Sequence, residues 1–256
     1  GSGPVVHGQA PQPPTPVRQP APLPQAPPTQ PRVAAVAPPA APQQPPALSP
    51  HSAFLLLQGV ETLAHDRTSL QPEYGTLVPM RYMNADRQFK VVSVSALCTS
   101  HYLNDSARLG WAMRQAVEQH YDGKVAFLAS GSLSHRFAQN GLAPQFAFKV
   151  WSPLLERLDH EVLGMWQAGQ WAEFCDMLPE YAVKGHGEGF MHDTAMLLGA
   201  MGWSEYTGQA EVLTPYFGAS GTGQVNLVLP VLPVNGAQVP MAQASRAEGY
   251  KAYSRI

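Results

Sequence analysis

The sequence is short of the residue types that define several classes of protein. It has two cysteines, Cys98 and Cys175, without CxxC spacing, so neither a disulfide scaffold nor a thiolate metal cluster is expected. Both follow apolar residues, which favours buried thiols in a reducing compartment and hence a cytoplasmic protein. No apolar run approaches the roughly 18–20 residues of a membrane span, and the N-terminus lacks the basic-then-apolar pattern of a signal peptide. The net charge of −2 gives no reason to expect nucleic acid or a membrane as partner.

Acidic residues and lysine are missing altogether from residues 1–60. This segment holds 17 of the 26 prolines, and its only charges are Arg18 and Arg32. Such a composition cannot bury enough apolar surface to offset the conformational entropy of folding, so we expect disorder with local polyproline conformations. The PxxP spacings are typical of ligands for SH3-like domains, but they are nearly unavoidable at this proline content. Residues 61–235 are predicted to form one domain, and 236–256 a flexible tail.

A strand–helix–strand unit is predicted between residues 89 and 129. The β-branched, apolar stretch at 89–97 predicts a buried strand. A helix follows, capped by Asp105 or Ser106 and ending near His120, and 124–129 predicts a second strand. The crossover is long enough for parallel pairing, so the predicted fold class is α/β, a partial sheet with flanking helices. The loops after both strands then lie at the carboxyl edge of the sheet, where α/β proteins bind ligands.

Further elements follow this unit. Residues 66–80 are predicted to form a loop that leads into a helix or strand. The Gly-rich residues 218–224 lack the Lys-Ser/Thr of a phosphate loop and are predicted to form a turn. Glu156, Asp159, His160 and Glu161 are predicted to form the solvated face of a helix. Helices are expected at 152–166, 171–178 and from about 190 to Gly199 or Gly202, and strands at 211–215 and 225–231.

His135 follows the second predicted strand, in the stretch ASGSLSHR at 129–136. A histidine on a Ser/Gly turn at a strand end is suited to proton transfer. The alternative is a loop histidine hydrogen-bonded to Ser132 or Ser134. A hydrolase using Ser134 with His135 is disfavoured, because adjacent side chains on one turn seldom orient as nucleophile and base, and no third orienting group is apparent.

Glu188 and His192 are four residues apart at the start of a predicted helix. If the helix begins by Glu188, both side chains share one face and can serve metal or proton chemistry. The alternative is a carboxylate that interacts with the helix dipole, next to a surface histidine.

The stretch from about Thr62 to Pro233 resembles the class III (LigB-like) extradiol ring-cleavage dioxygenases, in the branch that acts on homoprotocatechuate (3,4-dihydroxyphenylacetate). Four segments carry the resemblance in the family's order: EYGTLVPMRYMN at 73–84, ASGSLSHRF at 129–137, GEGFMHDT at 187–194 and SGTGQVN at 220–226. It implies a LigB-like sheet, although the N-terminal strands of that sheet have no recognisable counterpart here.

The resemblance also implies a chemistry. Enzymes of this family hold a non-haem Fe(II) by two histidines and one carboxylate, with open positions for a catechol and O₂, and serve aromatic-compound catabolism. It implies that His135 transfers protons during ring opening. The carboxylate ligand maps to Glu188, with His192 as the alternative because the helix register is open at this point.

Other residues receive supporting roles from the same resemblance. Tyr74 stands where many relatives have a histidine, which implies a substrate-pocket or second-sphere group, with His65 as a nearby candidate. Ser134 and Arg136 flank His135 and are further candidates for the substrate pocket or second sphere. Independently of the resemblance, Arg81, Arg136 and Tyr82 are candidate anchors for a substrate carboxylate, the alternative being a structural or solvent-exposed role for each. The resemblance further implies homo-oligomers, since relatives assemble into multimers.

The chain departs from the family in its N-terminal portion. The two histidine ligands of the family lie there, and this chain has the Pro-rich segment instead, so ligand roles are not carried over to His7 or His51. One hypothesis is that residues 1–60 are translated out of frame or mark a fragment junction. We therefore expect impaired iron binding and turnover. The alternative is a non-catalytic remnant or an interaction protein with a Pro-rich arm.

Overall fold

The computed structural model describes residues 71–95, Cys98 and residues 101–234. The predictions for segments 1–60 and 236–256, and the candidate His65, lie outside the described residues. Within the described ranges, no helix is both long enough and apolar enough to cross a bilayer.

Helices dominate the described part and small sheets accompany them. The α-helices are α1 Tyr74–Met83, α2 Leu103–His120, α3 Ala143–Phe146, α4 Pro153–Ala168, α5 Trp171–Lys184 and α6 His192–Met201. Turns of 3₁₀-helix lie at Asn140–Leu142, Glu188–Met191 and Trp203–Glu205. The strands are β1 Glu211–Val212, β2 Phe217–Ala219, β3 Thr222–Gln224 and β4 Leu227–Val228. The combination of helices and sheets confirms the predicted mixed class.

The sheets are antiparallel, not parallel. β1 pairs with β4, and β2 pairs with β3 through Phe217–Gln224 and Ala219–Thr222. Residues 89–95 and 124–129 form no strand within the described ranges, so the predicted parallel strand–helix–strand unit is wrong there. Their side chains are largely exposed, Val92 at 86%. Strand propensity reflects how well a side chain fits the surface of a sheet. A strand also needs a neighbouring strand to which its backbone can hydrogen-bond, and no described segment pairs with 89–95 or 124–129.

Helix α1 begins at Tyr74, inside the stretch 66–80 that is predicted to be a loop leading into a helix or strand. The stretch contains Gly75, Thr76 and Pro79, which are typical of turns, and Pro79 lies inside the helix. No residue of α1 is fully buried. Tyr74, Leu77 and Val78 do recur at helical spacing, but these side chains are exposed in the described part of the chain, so the helix lacks a buried apolar face there.

The core forms around α4, α5 and α6. Ser152 caps α4 by accepting a hydrogen bond from the Leu155 amide (3.3 Å), and Gly169 ends the helix at φ 70°. The buried aromatic rings of Trp166 and Phe174 meet edge to face with centroids 5.2 Å apart. Other members of the core include Leu133, Val162, Trp171, Leu178, Tyr181, Met191 and Leu198.

Helices α2 and α6 pack closely because two glycines lie at their interface. A Cβ on Gly110 would overlap the carbonyl oxygen of Met196, and a Cβ on Gly199 would overlap that of Ala107. Both cysteines are free. Cys175 is buried, which raises the pKa of its thiol to about 12, whereas Cys98 is only half-buried.

Candidate active site

Backbone pairing holds the segment 132–135 between two other parts of the chain. On one side it meets β3: the Leu133 amide donates to the Gly223 carbonyl (3.0 Å), and the Gly223 amide donates to the Ser134 carbonyl (2.9 Å). An isolated bridge also joins His135 to Thr222. The segment thus has the backbone bonds of a short strand, although the chain before it runs unpaired in the described part.

On its other side the same segment meets the turn that carries Glu188. The His135 amide donates to the His186 carbonyl (2.7 Å), and the Glu188 amide donates to the Leu133 carbonyl (3.1 Å). Ser134 bridges Gly187 in the antiparallel sense. These bonds bring together two segments that the sequence analysis marked separately, those of His135 and Glu188.

The Glu188 carboxylate is the centre of the resulting site. Its Oε1 lies 3.6 Å from Nε2 of His135 and accepts a hydrogen bond from the Tyr74 hydroxyl at 3.2 Å. Its Oε2 accepts a hydrogen bond from the Ser132 amide at 2.5 Å. The side chains of His135 and Glu188 are 30% and 18% exposed, so both are partly accessible to solvent. The negative charge of Glu188 raises the pKa of the Tyr74 phenol.

The structure separates Glu188 from His192. The 3₁₀ turn between them contains left-handed backbone at Gly189 and Phe190 (φ 51° and 54°), and α6 begins only at His192. The condition for a shared face, a helix that begins by Glu188, is not met, so the two side chains do not lie on one helix face. His192 is buried against α2, with Nδ1 2.7 Å from the Ser106 hydroxyl.

Burial sets the protonation of His192. Desolvation of the imidazole, assisted by the nearby His101, lowers its pKa to about 4. The ring is therefore neutral at physiological pH.

Ser134 contacts a buried carboxylate that the sequence analysis placed on a solvated face. Asp159 is 0% exposed, so that prediction is wrong. The Ser134 amide donates to Asp159 Oδ1 (3.1 Å), and the Ser134 hydroxyl donates to Oδ2 (2.7 Å). Tyr181 donates to Oδ1 (2.7 Å) and Tyr216 to Oδ2 (2.6 Å). Burial raises the pKa of Asp159, and these four hydrogen bonds oppose that rise.

A signal for the burial of Asp159 was available. It lies four residues after Leu155 and three before Val162, on the same stripe of α4 that both of these core residues occupy. A single charged residue on an apolar stripe indicates a buried, hydrogen-bonded group.

Asp193 also lies at the site, although it is not among the residues predicted from the sequence. A Cβ on Gly131 would overlap its Oδ2, which explains the glycine before Ser132. Burial, and to a smaller extent the charge of Glu188, raises the pKa of Asp193 to about 6. Its position in the GEGFMHDT stretch beside His192 is the signal that could have found it.

The side chains next to His135 in the chain make contacts that do not involve Glu188. The Ser132 hydroxyl accepts from Gln224 Nε2 (2.5 Å), while that of Ser134 is directed at Asp159, so both hydroxyls are used away from the His135 ring. That ring stacks on Phe137 with centroids 5.8 Å apart. The Arg136 guanidinium lies 4.3 Å over the ring of Trp151, a cation–π contact.

The described residues contain no group of three or more histidine, cysteine or acidic side chains arranged to hold a metal ion. Glu188, with His135 beside it, is a partial donor set. A carboxylate held by a backbone amide and a phenol, next to an imidazole, can bind a cation at one side and exchange a proton at the other.

The chain belongs to the family whose model is described as the catalytic LigB subunit of aromatic ring-opening dioxygenase, since that model matches residues 50–230. This match contains Tyr74, His135 and Glu188 and confirms the resemblance seen in the sequence. The 3,4-dihydroxyphenylacetate 2,3-dioxygenase of Escherichia coli is 51% identical over 159 residues, which cover 62% of this chain and 57% of that protein. Protein CA_C1420 of Clostridium acetobutylicum is 26% identical over 185 residues, covering 72% of this chain and 37% of that protein. The chain therefore spans less than two thirds of the length of either relative.

Proposed function

We propose that this chain carries part of the site of an extradiol dioxygenase that opens a catechol ring with O₂. The substrate is a catechol such as 3,4-dihydroxyphenylacetate, as in the E. coli relative. The observation that carries the proposal is the contact of His135 with Glu188, 3.6 Å apart inside the family match. In this proposal Glu188 is a ligand to Fe(II), and His135 transfers protons.

The residues present fit one side of such a metal site. Glu188 offers a carboxylate, the oxygen donor of the two-histidine, one-carboxylate sets that hold non-haem Fe(II). The described part supplies this carboxylate without two histidines beside it. When bound, the iron would supply a Lewis acid for the catechol oxygens and the redox chemistry of O₂.

The chain's own groups prepare this chemistry. The Ser132 amide and the Tyr74 hydroxyl each donate to one oxygen of Glu188 and so restrict the orientation of the carboxylate. The partly exposed imidazole of His135 can take a proton from a substrate hydroxyl at Nε2 and return it to the opened ring. Tyr74 is accordingly proposed as a second-sphere residue.

Impaired iron binding is part of the proposal. A single carboxylate in the described part supports weak binding, because affinity for Fe(II) in this class comes from three protein ligands held together. We expect the full chain to bind Fe(II) weakly and to turn over catechols slowly.

An anaerobic Fe(II) titration of the full chain tests the metal assignment. Glu188→Gln is expected to weaken binding at least tenfold. Glu180→Gln is the matched control, because Glu180 is an exposed carboxylate on α5 paired with Lys184, and it should leave binding unchanged. Equal binding by wild type and Glu188→Gln would overturn the assignment of Glu188.

Turnover is tested by adding 3,4-dihydroxyphenylacetate and O₂ to the reconstituted chain and following the yellow ring-opened product. Slow product formation that disappears in His135→Asn supports the proposal. Rapid turnover by the full chain would overturn the impairment, and equal turnover in His135→Asn would overturn the role of the histidine.

A further inference from the structure

We propose that Asp159 is a positioning residue: its buried carboxylate fixes the backbone of residues 132–135 so that His135 faces Glu188. The inference deepens the proposed function, and its significance for proton transfer rests on that function. The positioning itself concerns only the described residues and can be measured without iron or substrate.

The first argument is the saturation of this carboxylate. A buried carboxylate costs several kcal/mol unless hydrogen bonds replace its water. Asp159 is fully buried and accepts four: two from Ser134 and one each from Tyr181 and Tyr216, at 2.6–3.1 Å. A carboxylate offers about four lone-pair sites, so every site has a donor. Such a group holds its partners in one arrangement.

The second argument is where the donors come from. Asp159 lies on α4, Tyr181 on α5 and Tyr216 just before β2. A Cβ on Gly223 of β3 would overlap Asp159 Oδ2 and lie 2.5 Å from the Tyr216 hydroxyl. The carboxylate is thus the point at which two core helices and the β2–β3 hairpin meet the segment of Ser134.

The third argument connects this cluster to the site. Successive residues of an extended segment point to opposite faces. Ser134 is buried towards Asp159, whereas the neighbouring His135 is partly exposed beside Glu188. Leu133 and His135, on either side of Ser134, make the backbone bonds to the turn of Glu188. Anchoring Ser134 therefore orients His135 and the Glu188 turn together.

Amide hydrogen exchange on the full, iron-free chain tests the proposal. Asp159→Asn replaces one acceptor oxygen by a donor NH₂, and Ser134→Ala removes only the hydroxyl. We expect at least tenfold faster exchange at the amides of His135 and Glu188 in Asp159→Asn, and at least threefold in Ser134→Ala. Tyr206→Phe is the control, because it deletes a comparable hydroxyl bond, to the Pro230 carbonyl at 2.6 Å, outside this cluster.

A purely structural role predicts a different result. Loss of global stability alone would accelerate exchange throughout α2 and α6 as much as at His135. The control variant Tyr206→Phe shows the pattern of exchange that such a loss of stability produces. Uniform acceleration, or rates at His135 and Glu188 equal to those of the control, would overturn the proposal. If Asp159→Asn fails to fold, Ser134→Ala retains the test.

A side-chain signal gives a second readout. The ¹⁵N and ¹H signals of the His135 ring report its stacking on Phe137 and its contact with Glu188. In Asp159→Asn they are expected to move towards those of free histidine, and unchanged signals would overturn the proposal.

If the chain binds no Fe(II), both readouts still apply. If Fe(II) binds through Glu188 while both readouts stay unchanged, only the positioning role fails.

Discussion

Nε2 of His135 lies 3.6 Å from Oε1 of Glu188 because the backbones of their segments are paired. The His135 amide bonds the His186 carbonyl, and the Glu188 amide bonds the Leu133 carbonyl. The contact therefore depends little on the two side chains themselves. Substitution of either side chain should change chemistry more than folding.

His135→Asn is the simplest case of this expectation. The imidazole is partly exposed, and the backbone bonds of residue 135 remain in the variant. We expect the free energy of unfolding, measured with urea, to change by less than about 0.5 kcal/mol. The weak Fe(II) binding should persist, while any ring cleavage falls by about 100-fold or more. Destabilisation by several kcal/mol would show instead that the ring is a structural element.

Glu188 should control the ionisation of Tyr74. A neighbouring negative charge disfavours the phenolate, so the pKa of Tyr74 lies above its usual value. In Glu188→Gln that charge is gone, and the pKa of Tyr74 should fall towards the ordinary value. ¹³Cζ-labelled tyrosine, followed by NMR through alkaline pH, measures it.

Glu73→Gln is the matched control for this titration. Glu73 precedes Tyr74 in the chain and makes a smaller contribution of the same sign. Its neutralisation should lower the pKa of Tyr74 less than Glu188→Gln does. An equal or larger effect of Glu73→Gln would contradict the contact between Tyr74 and Glu188.

Local signals in the sequence were sufficient for part of the fold. Ser152 followed by Pro153 predicts the start of α4, because a hydroxyl cap and a first-turn proline need no distant partner. The strand predicted at 124–129 is absent, because a strand needs a neighbouring strand to pair with, which local propensity does not report. The sequence leaves helix and strand open after the loop at 66–80, and the start of helix α1 at Tyr74 is not predicted, because the helix contains Pro79 and has no buried residue.

The candidate site was predictable to a similar extent. The order of the family's segments marked His135, Glu188 and Tyr74, which the structure brings together. The contact of Ser134 with Asp159 has no signal in the sequence near Ser134, and the charged neighbours of Asp159 on α4 obscure the apolar stripe that contains it. Gly189 is compatible with left-handed backbone, but its continuation at Phe190 has no local signal, since a bulky residue rarely adopts such backbone.

Gly223→Ala should destabilise the chain. The added methyl would overlap the Asp159 carboxylate and crowd the Tyr216 hydroxyl, neither of which can move without losing a hydrogen bond. We expect a loss of about 3 kcal/mol in the free energy of unfolding, a cost typical of inserting extra atoms into a packed core.

Gly164→Ala is the control: it lies in the exposed part of α4, where an added Cβ meets nothing within 4 Å. It should stabilise by about 0.5–1 kcal/mol. A neutral Gly223→Ala would contradict the packing at Asp159.

His192 and Asp193 should give the stability of the chain opposing dependences on pH. The pKa of His192 is lowered to about 4, so its contribution is complete above about pH 6.5 and is lost as the pH falls towards 4, because only the unfolded chain takes up the proton. The pKa of Asp193 is raised to about 6, so its contribution is complete below about pH 4 and is lost as the pH rises through 6. Between pH 4 and 6 the two effects oppose each other.

Single substitutions separate these two effects. His192→Asn keeps a group able to bond the Ser106 hydroxyl but does not titrate, so its stability relative to wild type should rise by up to about 3 kcal/mol as the pH falls from 6.5 to 4. Asp193→Asn should change in the opposite direction over the same interval. Urea unfolding at half-unit pH steps measures both differences, and contributions from groups common to all three chains cancel. If His192→Asn follows the wild-type profile, His192 is not held neutral by burial at the α2–α6 interface.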